Sequence, residues 1–169
     1  CAGTGAMEAG IMNCLSHGDR VIVVSAGQFG EKWVDLCRAY GTDVKVLDFP
    51  WGEPVDPSRL EKALQQYPDT KAVLATHSET STGVMHDIEA LGRIVGKTDA
   101  LFLVDGISSV VAHALPTTKW GVDIAVTASQ KGLMLPPGLA AITISARAWE
   151  AAGRSDLPRA YLDLDRYRK

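Results

Sequence analysis

The apolar run Val122-Asp123-Ile124-Ala125-Val126-Thr127 reads as a short buried strand, and Ala128-Ser129-Gln130-Lys131 follows it directly. Lysine is almost never buried without a partner. A lysine held partly out of water gives up its proton more readily, and the neutral amine can then attack a carbonyl. The bland alternative is a loop lysine that reaches solvent. Other lysines have such explanations: Lys45 faces out of an alternating strand, and Lys32 and Lys62 lie on helix surfaces. Asp105 closes a second apolar run, Leu101-Phe102-Leu103-Val104. A carboxylate there either caps the turn Gly106-Ile107-Ser108-Ser109 or pairs with a buried cation, because a buried charge needs a partner. Gly3-Thr4-Gly5 precedes a helix, where backbone N–H groups and the helix N-terminus favour an anion. A flexible helix entry explains the same glycines.

Several other chemistries find less support. A dinucleotide fingerprint wants a third glycine where Glu8 stands and an acid where Ser25 stands. No Gly-Lys-Ser/Thr completes a phosphate-binding loop, and no Ser-His-Asp ordering suggests a hydrolase. Phe29 reads most simply as a core aromatic, and His77 as a loop histidine with ordinary hydrogen bonds. His17, His86 and His113 are scattered, and Cys1, Cys14 and Cys37 have no metal-ligand spacing, so no metal site is expected. Three cysteines are odd in number and read as free thiols in a reducing compartment.

The elements that must position these residues alternate along the chain. Met7, Ile11, Cys14 and Leu15 share one helical face, and Arg20-Val21-Ile22-Val23-Val24 is a strand. Phe29, Trp33, Leu36, Cys37 and Tyr40 recur at helical spacing up to Gly41. Asp43-Val44-Lys45-Val46-Leu47 is a strand. Asp56-Pro57 starts a helix with a buried stripe of Leu60, Leu64 and Tyr67. Ala72-Val73-Leu74-Ala75 is a strand followed by a polar loop over 76–83. Ile88, Leu91 and Val95 mark a helix, Ala140 to Ile144 a last strand, and a helix starts near Arg147. Apolar strands alternating with helices predict an α/β fold, an α-β-α sandwich around a mostly parallel sheet. Ligands of such sheets bind at the carboxyl ends of the strands. Ser25 to Gln28, the loop over 76–83, Asp105 and Ser129-Gln130-Lys131 should therefore converge on one rim.

At 169 residues the chain suffices for one domain with a real core. A hydrophobic content of 46% and a charged content of 22% are ordinary for a soluble protein. A net charge of -3 argues against nonspecific nucleic-acid binding. No apolar run is long enough to predict a membrane span, and no signal peptide is visible. A start at Cys1 rather than methionine suggests a fragment.

Taken in order, Gly3-Thr4-Gly5, Phe29, His77-Ser78-Glu79-Thr80-Ser81-Thr82-Gly83, Val104-Asp105-Gly106-Ile107-Ser108-Ser109 and Ser129-Gln130-Lys131-Gly132 resemble the class V aminotransferases. These belong to the fold-type I pyridoxal phosphate enzymes. The nearest likeness is to their alanine–glyoxylate and serine–glyoxylate branch, and it covers nearly the whole chain. The resemblance implies pyridoxal 5'-phosphate as cofactor. It makes Lys131 the covalent anchor and proton shuttle, and Asp105 the carboxylate that keeps the ring nitrogen protonated. It sets Phe29 and Ile107 against the two ring faces, Gly3, Thr4 and Gln130 at the phosphate, and Thr80 at the ring oxygen. The implied reaction is ping-pong transamination between an amino acid such as alanine or serine and a 2-oxo acid such as glyoxylate or pyruvate. The family forms homodimers with the active site at the interface. Its C-terminal small domain carries the arginine that grips the substrate carboxylate, a role not given to Arg147, Arg154 or Arg159. On this resemblance residues 1–169 are a cofactor-binding large domain without its N-terminal segment and small domain. The expected compartment is the cytoplasm, or a peroxisome or mitochondrion in a eukaryote.

Aminoethylphosphonate and ureidoglycine aminotransferases share the resemblance. Cysteine desulfurases do too, but need a mobile cysteine, and Cys14 and Cys37 lie on expected buried helix faces. A nucleotide-binding α/β module without pyridoxal chemistry rests on the glycine loop alone.

Overall fold

Continuous apolar runs become interior strands because both of their faces are covered. In the computed structural model, which describes residues 2–168, β1 (Arg20–Ser25), β3 (Ala72–Thr76), β6 (Leu101–Asp105) and β7 (Ile124–Ala128) are buried almost end to end. With β2 (Asp43–Asp48) and β8 (Ala140–Ile144) they form one sheet of order β2-β1-β3-β6-β7-β8. All neighbours are parallel except β8, which runs antiparallel to β7. An apolar run encodes no direction, but the connection over 129–139 carries no helix to serve as a crossover, so β8 returns antiparallel. Lys45 sits half-buried on the edge strand β2, paired with Asp43 at 2.8 Å.

Helices cover both faces. α1 (Gly3–Cys14), α2 (Gln28–Ala39) and α5 (Ala146–Ala152) pack Met7, Ile11, Trp33, Cys37 and Ala148 against Val21, Val23, Leu74, Leu103 and Ile124. α3 (Pro57–Gln66) and α4 (Ile88–Val95) pack Leu60, Leu64, Ile88, Leu91 and Val95 against Ile22, Val73, Phe102 and Val104. The result is the expected α-β-α sandwich. Asp56 caps α3 by accepting from Ser58 N, and Pro57 takes the first helical position. Asp87 and Ser145 cap α4 and α5 in the same way. Cys14 and Cys37 are free and buried, and burial pushes both thiols up to about 12. Cys1 lies outside the described residues. No described helix is long and apolar enough to cross a membrane.

Two segments differ from the sequence reading. The glycines do not precede α1: Gly3, Thr4 and Gly5 are its first turn. The segment over 76–83 is not simply a loop, because β4 (Ser78–Glu79) pairs antiparallel with β5 (Val84–Met85) in a small hairpin. Strands of two residues are too short for periodicity to register.

Candidate active site

Four parallel strands end on one rim. Thr76 is the ladder neighbour of Asp105, and Asp105 of Val126. The chain moves from β1 outward to β2 and then back across to β3, so the strand order reverses between β1 and β3, the place where open α/β sheets hold ligands.

Asp105 is 3% exposed at the end of β6. Its Oδ1 accepts from Ile107 N at 2.7 Å, so it does cap the following turn. Burial raises its pKa from 3.8 to about 6. The Ile107 N–H pulls down, the charge of Glu79 pushes up, and the charge of Lys131 pulls down. The carboxylate thus lies within electrostatic reach of the lysine that the sequence singled out, as well as capping its own turn.

Lys131 is half-buried in the turn after β7, with its N–H on Ala128 O at 3.3 Å and its carbonyl accepting from Met134 N at 2.9 Å. Its amine makes no hydrogen bond or ion pair to any described residue. Gln130 beside it is exposed. Ser129 is 2% exposed and ties the loop shut: Oγ donates to Pro136 O at 2.7 Å, and its backbone bonds Leu135 N and Leu139 O.

α1 brings its first turn against these strand ends. A Cβ at Gly3 would lie 2.6 Å from Ile107 Cδ1 and 3.3 Å from Ala128 Cβ, so a larger residue there would have to displace the Ile107 side chain. Ala2 supplies no side-chain cap, and the N–H groups of Gly3 and Thr4 have no acceptor among the described residues. A helix N-terminus with free donors suits an anion. Ile107 is 9% exposed and Thr4 is exposed.

Across the switch point, Phe29 opens α2 and is only half-buried, unlike Trp33 and Cys37 further along its helix. Thr80, at the tip of the hairpin, is exposed and has Oγ1 2.6 Å from Ser108 Oγ. The structure thus brings Gly3, Thr4, Phe29, Thr80, Asp105, Ile107, Gln130 and Lys131 to one rim. A cleft of about 520 Å³ between Asp19, Asp69, Lys71, Asp99, Arg147 and Glu150 includes none of them. Arg147 donates to the carbonyls of Asp99 and Ala100, and Arg159 to those of Met12 and Ala152, so both are engaged away from the rim.

Sequence reasoning missed three buried residues here. His77 does lie in the bend between β3 and β4, but it is buried at 2% exposure: its N–H donates to Asp105 O, and Nδ1 lies 2.9 Å from Ser109 Oγ. Burial lowers its pKa, as do the nearby His113 and His86. His86 is buried and accepts from Val55 N through Nδ1 at 3.3 Å. Glu79, 1% exposed, accepts from Phe29 N, Gly30 N and Ser81. One sign was available for Glu79: α2 starts after Gly27, which has no side chain to cap it.

This layering, an α/β fold around a mostly parallel sheet, is the fold of fold-type I aminotransferases. The crystal structure of an alanine–glyoxylate aminotransferase from Nostoc sp. superposes with a TM-score of 0.93 at 37% identity, covering 98% of this chain and 44% of that one. The chain belongs to the class-V aminotransferase family, whose model matches residues 2–157. Two curated relatives bracket the names found within it. The small subunit of a soluble hydrogenase from Synechococcus sp. is 49% identical over 172 residues, covering 99% of this chain and 44% of that protein. L-Aspartate–glyoxylate aminotransferase of Paracoccus denitrificans is 46% identical over 166 residues, covering 96% and 42%. The chain thus spans less than half the length of these relatives.

Proposed function

We propose that the whole protein is a pyridoxal-phosphate-dependent aminotransferase that moves the amino group of alanine or serine to glyoxylate or pyruvate. The observation that carries this reading is the placing of Asp105 and Lys131 at the ends of neighbouring strands: a buried acid within electrostatic reach of an amine that makes no hydrogen bond or ion pair to a described residue. The donor set fits the cofactor part by part. Gly3 and Thr4 offer free N–H groups to a phosphate, and the exposed Gln130 follows β7, whose Ala128 lies against Gly3. Phe29 and Ile107 offer apolar surface to the ring faces, and Thr80 a hydroxyl to the ring oxygen. Asp105 would hold the positive charge at the ring nitrogen. Pyridoxal phosphate, when bound, supplies an aldehyde for the amine and a ring that accepts electrons. Lys131 would hold the cofactor in the resting protein, then take the proton from the substrate Cα and deliver it to the cofactor's C4′ carbon, as base and then acid.

The relatives' names support glyoxylate as acceptor, and the aspartate–glyoxylate enzyme adds aspartate to the donors worth testing. We take residues 1–169 as the cofactor-binding part of a large domain. The substrate-carboxylate arginine then falls in a small domain outside this chain, and the working unit is a cytoplasmic homodimer. A desulfurase is disfavoured on this chain, because Cys14 and Cys37 are buried with thiols raised to about 12. The hydrogenase name of one relative finds no ligand set here: among the described residues no group of three His, Cys, Asp or Glu side chains could hold a metal.

Borohydride reduction of the whole protein with pyridoxal phosphate, followed by peptide mass mapping, should label Lys131. A label on another lysine would overturn the assignment. Lys131→Ala should lower transamination by about 10²–10⁴-fold, the range of general acid–base catalysis. Half-reactions with alanine, serine and aspartate, and then with glyoxylate and pyruvate, identify the pair. Sulfide release from cysteine without transamination would replace the reading with a desulfurase.

A further inference from the structure

α2 begins without a cap of its own. Its N-cap, Gly27, lies in extended backbone and has no side chain to receive the first turn. The first four N–H groups of any α-helix lack partners within the helix. Here Glu31 N donates to Gly27 O at 3.0 Å, and the hairpin supplies the rest. Gln28 N donates to Ser81 Oγ at 3.1 Å, while Phe29 N and Gly30 N donate to Glu79 Oε2, each at 3.1 Å. Ser81 in turn donates to Glu79 Oε1, from Oγ at 2.6 Å and from N at 3.2 Å. The fit is close: a Cβ at Gly27 would lie 2.5 Å from Glu79 Cγ and 2.7 Å from Ser81 Oγ.

A carboxylate that is 1% exposed needs several donors, and its negative charge suits a helix N-terminus. Glu79 has these donors, drawn from two elements that are about fifty residues apart in the chain. One element carries Phe29. The other carries Thr80, whose hydroxyl meets Ser108 next to Ile107.

We propose that Glu79 is a positioning residue, which fixes the start of α2 against the hairpin so that Phe29 and Thr80 close on the cofactor ring together. This rests on the reading that the rim binds pyridoxal phosphate with those two residues at its ring. Glu79 touches neither cofactor nor substrate in this role. It sets the distance between two groups that do.

The test uses the whole protein and pyridoxal phosphate, with two readouts: the cofactor dissociation constant and the visible circular dichroism of the bound cofactor. Glu79→Ala should weaken binding by about tenfold or more, the scale of one lost charge-assisted hydrogen bond, and diminish the dichroic band. Asp56→Ala is the control for loss of a cap alone: it strips the cap from α3, on the opposite face of the sheet. It should lower the unfolding midpoint and leave both cofactor readouts unchanged. If folded Glu79→Ala keeps wild-type affinity and dichroism, the positioning role is overturned while the cofactor reading stands. If wild type binds no pyridoxal phosphate, both fall. Should Glu79→Ala not fold, Glu79→Gln and Ser81→Ala decide by the same two readouts, where a shift supports the role and no shift overturns it.

Discussion

Asp105 carries a charge that its surroundings resist. Its carboxyl titrates near 6 in the folded chain against 3.8 ordinarily, because burial penalises the ionised form. Below about pH 4 both folded and unfolded chains hold the proton, and nothing is lost. Between there and about pH 6 the folded chain binds more protons than the unfolded one, so stability falls as pH rises. Above that range the full cost stays, on the order of 2–3 kcal/mol for a shift of this size. Asp105→Asn keeps an oxygen for Ile107 N and removes the charge. Without cofactor the variant should be more stable than wild type at pH 7 and equal to it below pH 4, as read by urea unfolding at several pH values. Equal stability throughout would refute the account. With pyridoxal phosphate bound the order should reverse, because the carboxylate then has a cation to face. The sequence showed Asp105 ending an apolar strand beside a candidate cation. The cap of the next turn was the other reading the sequence offered, and the Ile107 N–H bond shows that the residue does cap it. Glu79 was harder to see: its partners on α2 are backbone groups, which every residue carries alike.

At the level of elements, the loop from β7 to β8 shows how Lys131 is held. The loop holds Pro136, Pro137 and Gly138, and its two prolines stiffen the backbone after Lys131. The geometry adds Ser129, whose hydroxyl and backbone bond Pro136, Leu135 and Leu139 from within the buried end of β7. Ser129→Ala strips the hydroxyl from the Pro136 carbonyl and should cost about 1–2 kcal/mol. It should also speed amide exchange across 130–139. Pro137→Ala should cost less, about 0.5–1 kcal/mol through a freer unfolded chain. Hydrogen exchange of the two variants compares them, and a larger effect from Pro137→Ala would give the role to the proline. Elements such as α2 and β6 were legible because α2 repeats its apolar residues over enough turns to set a period, and β6 is an unbroken apolar run. The hairpin of β4 and β5 was not, since two polar residues per strand carry no pattern and its pairing is entirely backbone. The antiparallel course of β8 was equally silent, because direction depends on the connection and not on the strand's own residues.

In the molecule as a whole, one layer of the sandwich does the work of the site. α1 and α2 lie on the same face of the sheet and bring Gly3 and Phe29 to the rim, while α3 and α4 close the opposite face. Both helices that reach the rim also bury a thiol: Cys14 ends α1, and Cys37 sits in the last turns of α2. Cys37 is fully buried and Cys14 is 7% exposed at the edge of a cleft, so both should react slowly with an alkylating reagent while their helices are seated. Each sulfur is therefore a built-in clock for the lifting of one helix from the sheet. Modification of the peptides holding Cys14 and Cys37 should be slow and should quicken with denaturant. Pyridoxal phosphate should slow it further, in proportion to how tightly the cofactor binds the folded state. A cofactor that protected one cysteine and not the other would reveal which helix it grips, by a timing measurement that needs no catalytic turnover at all.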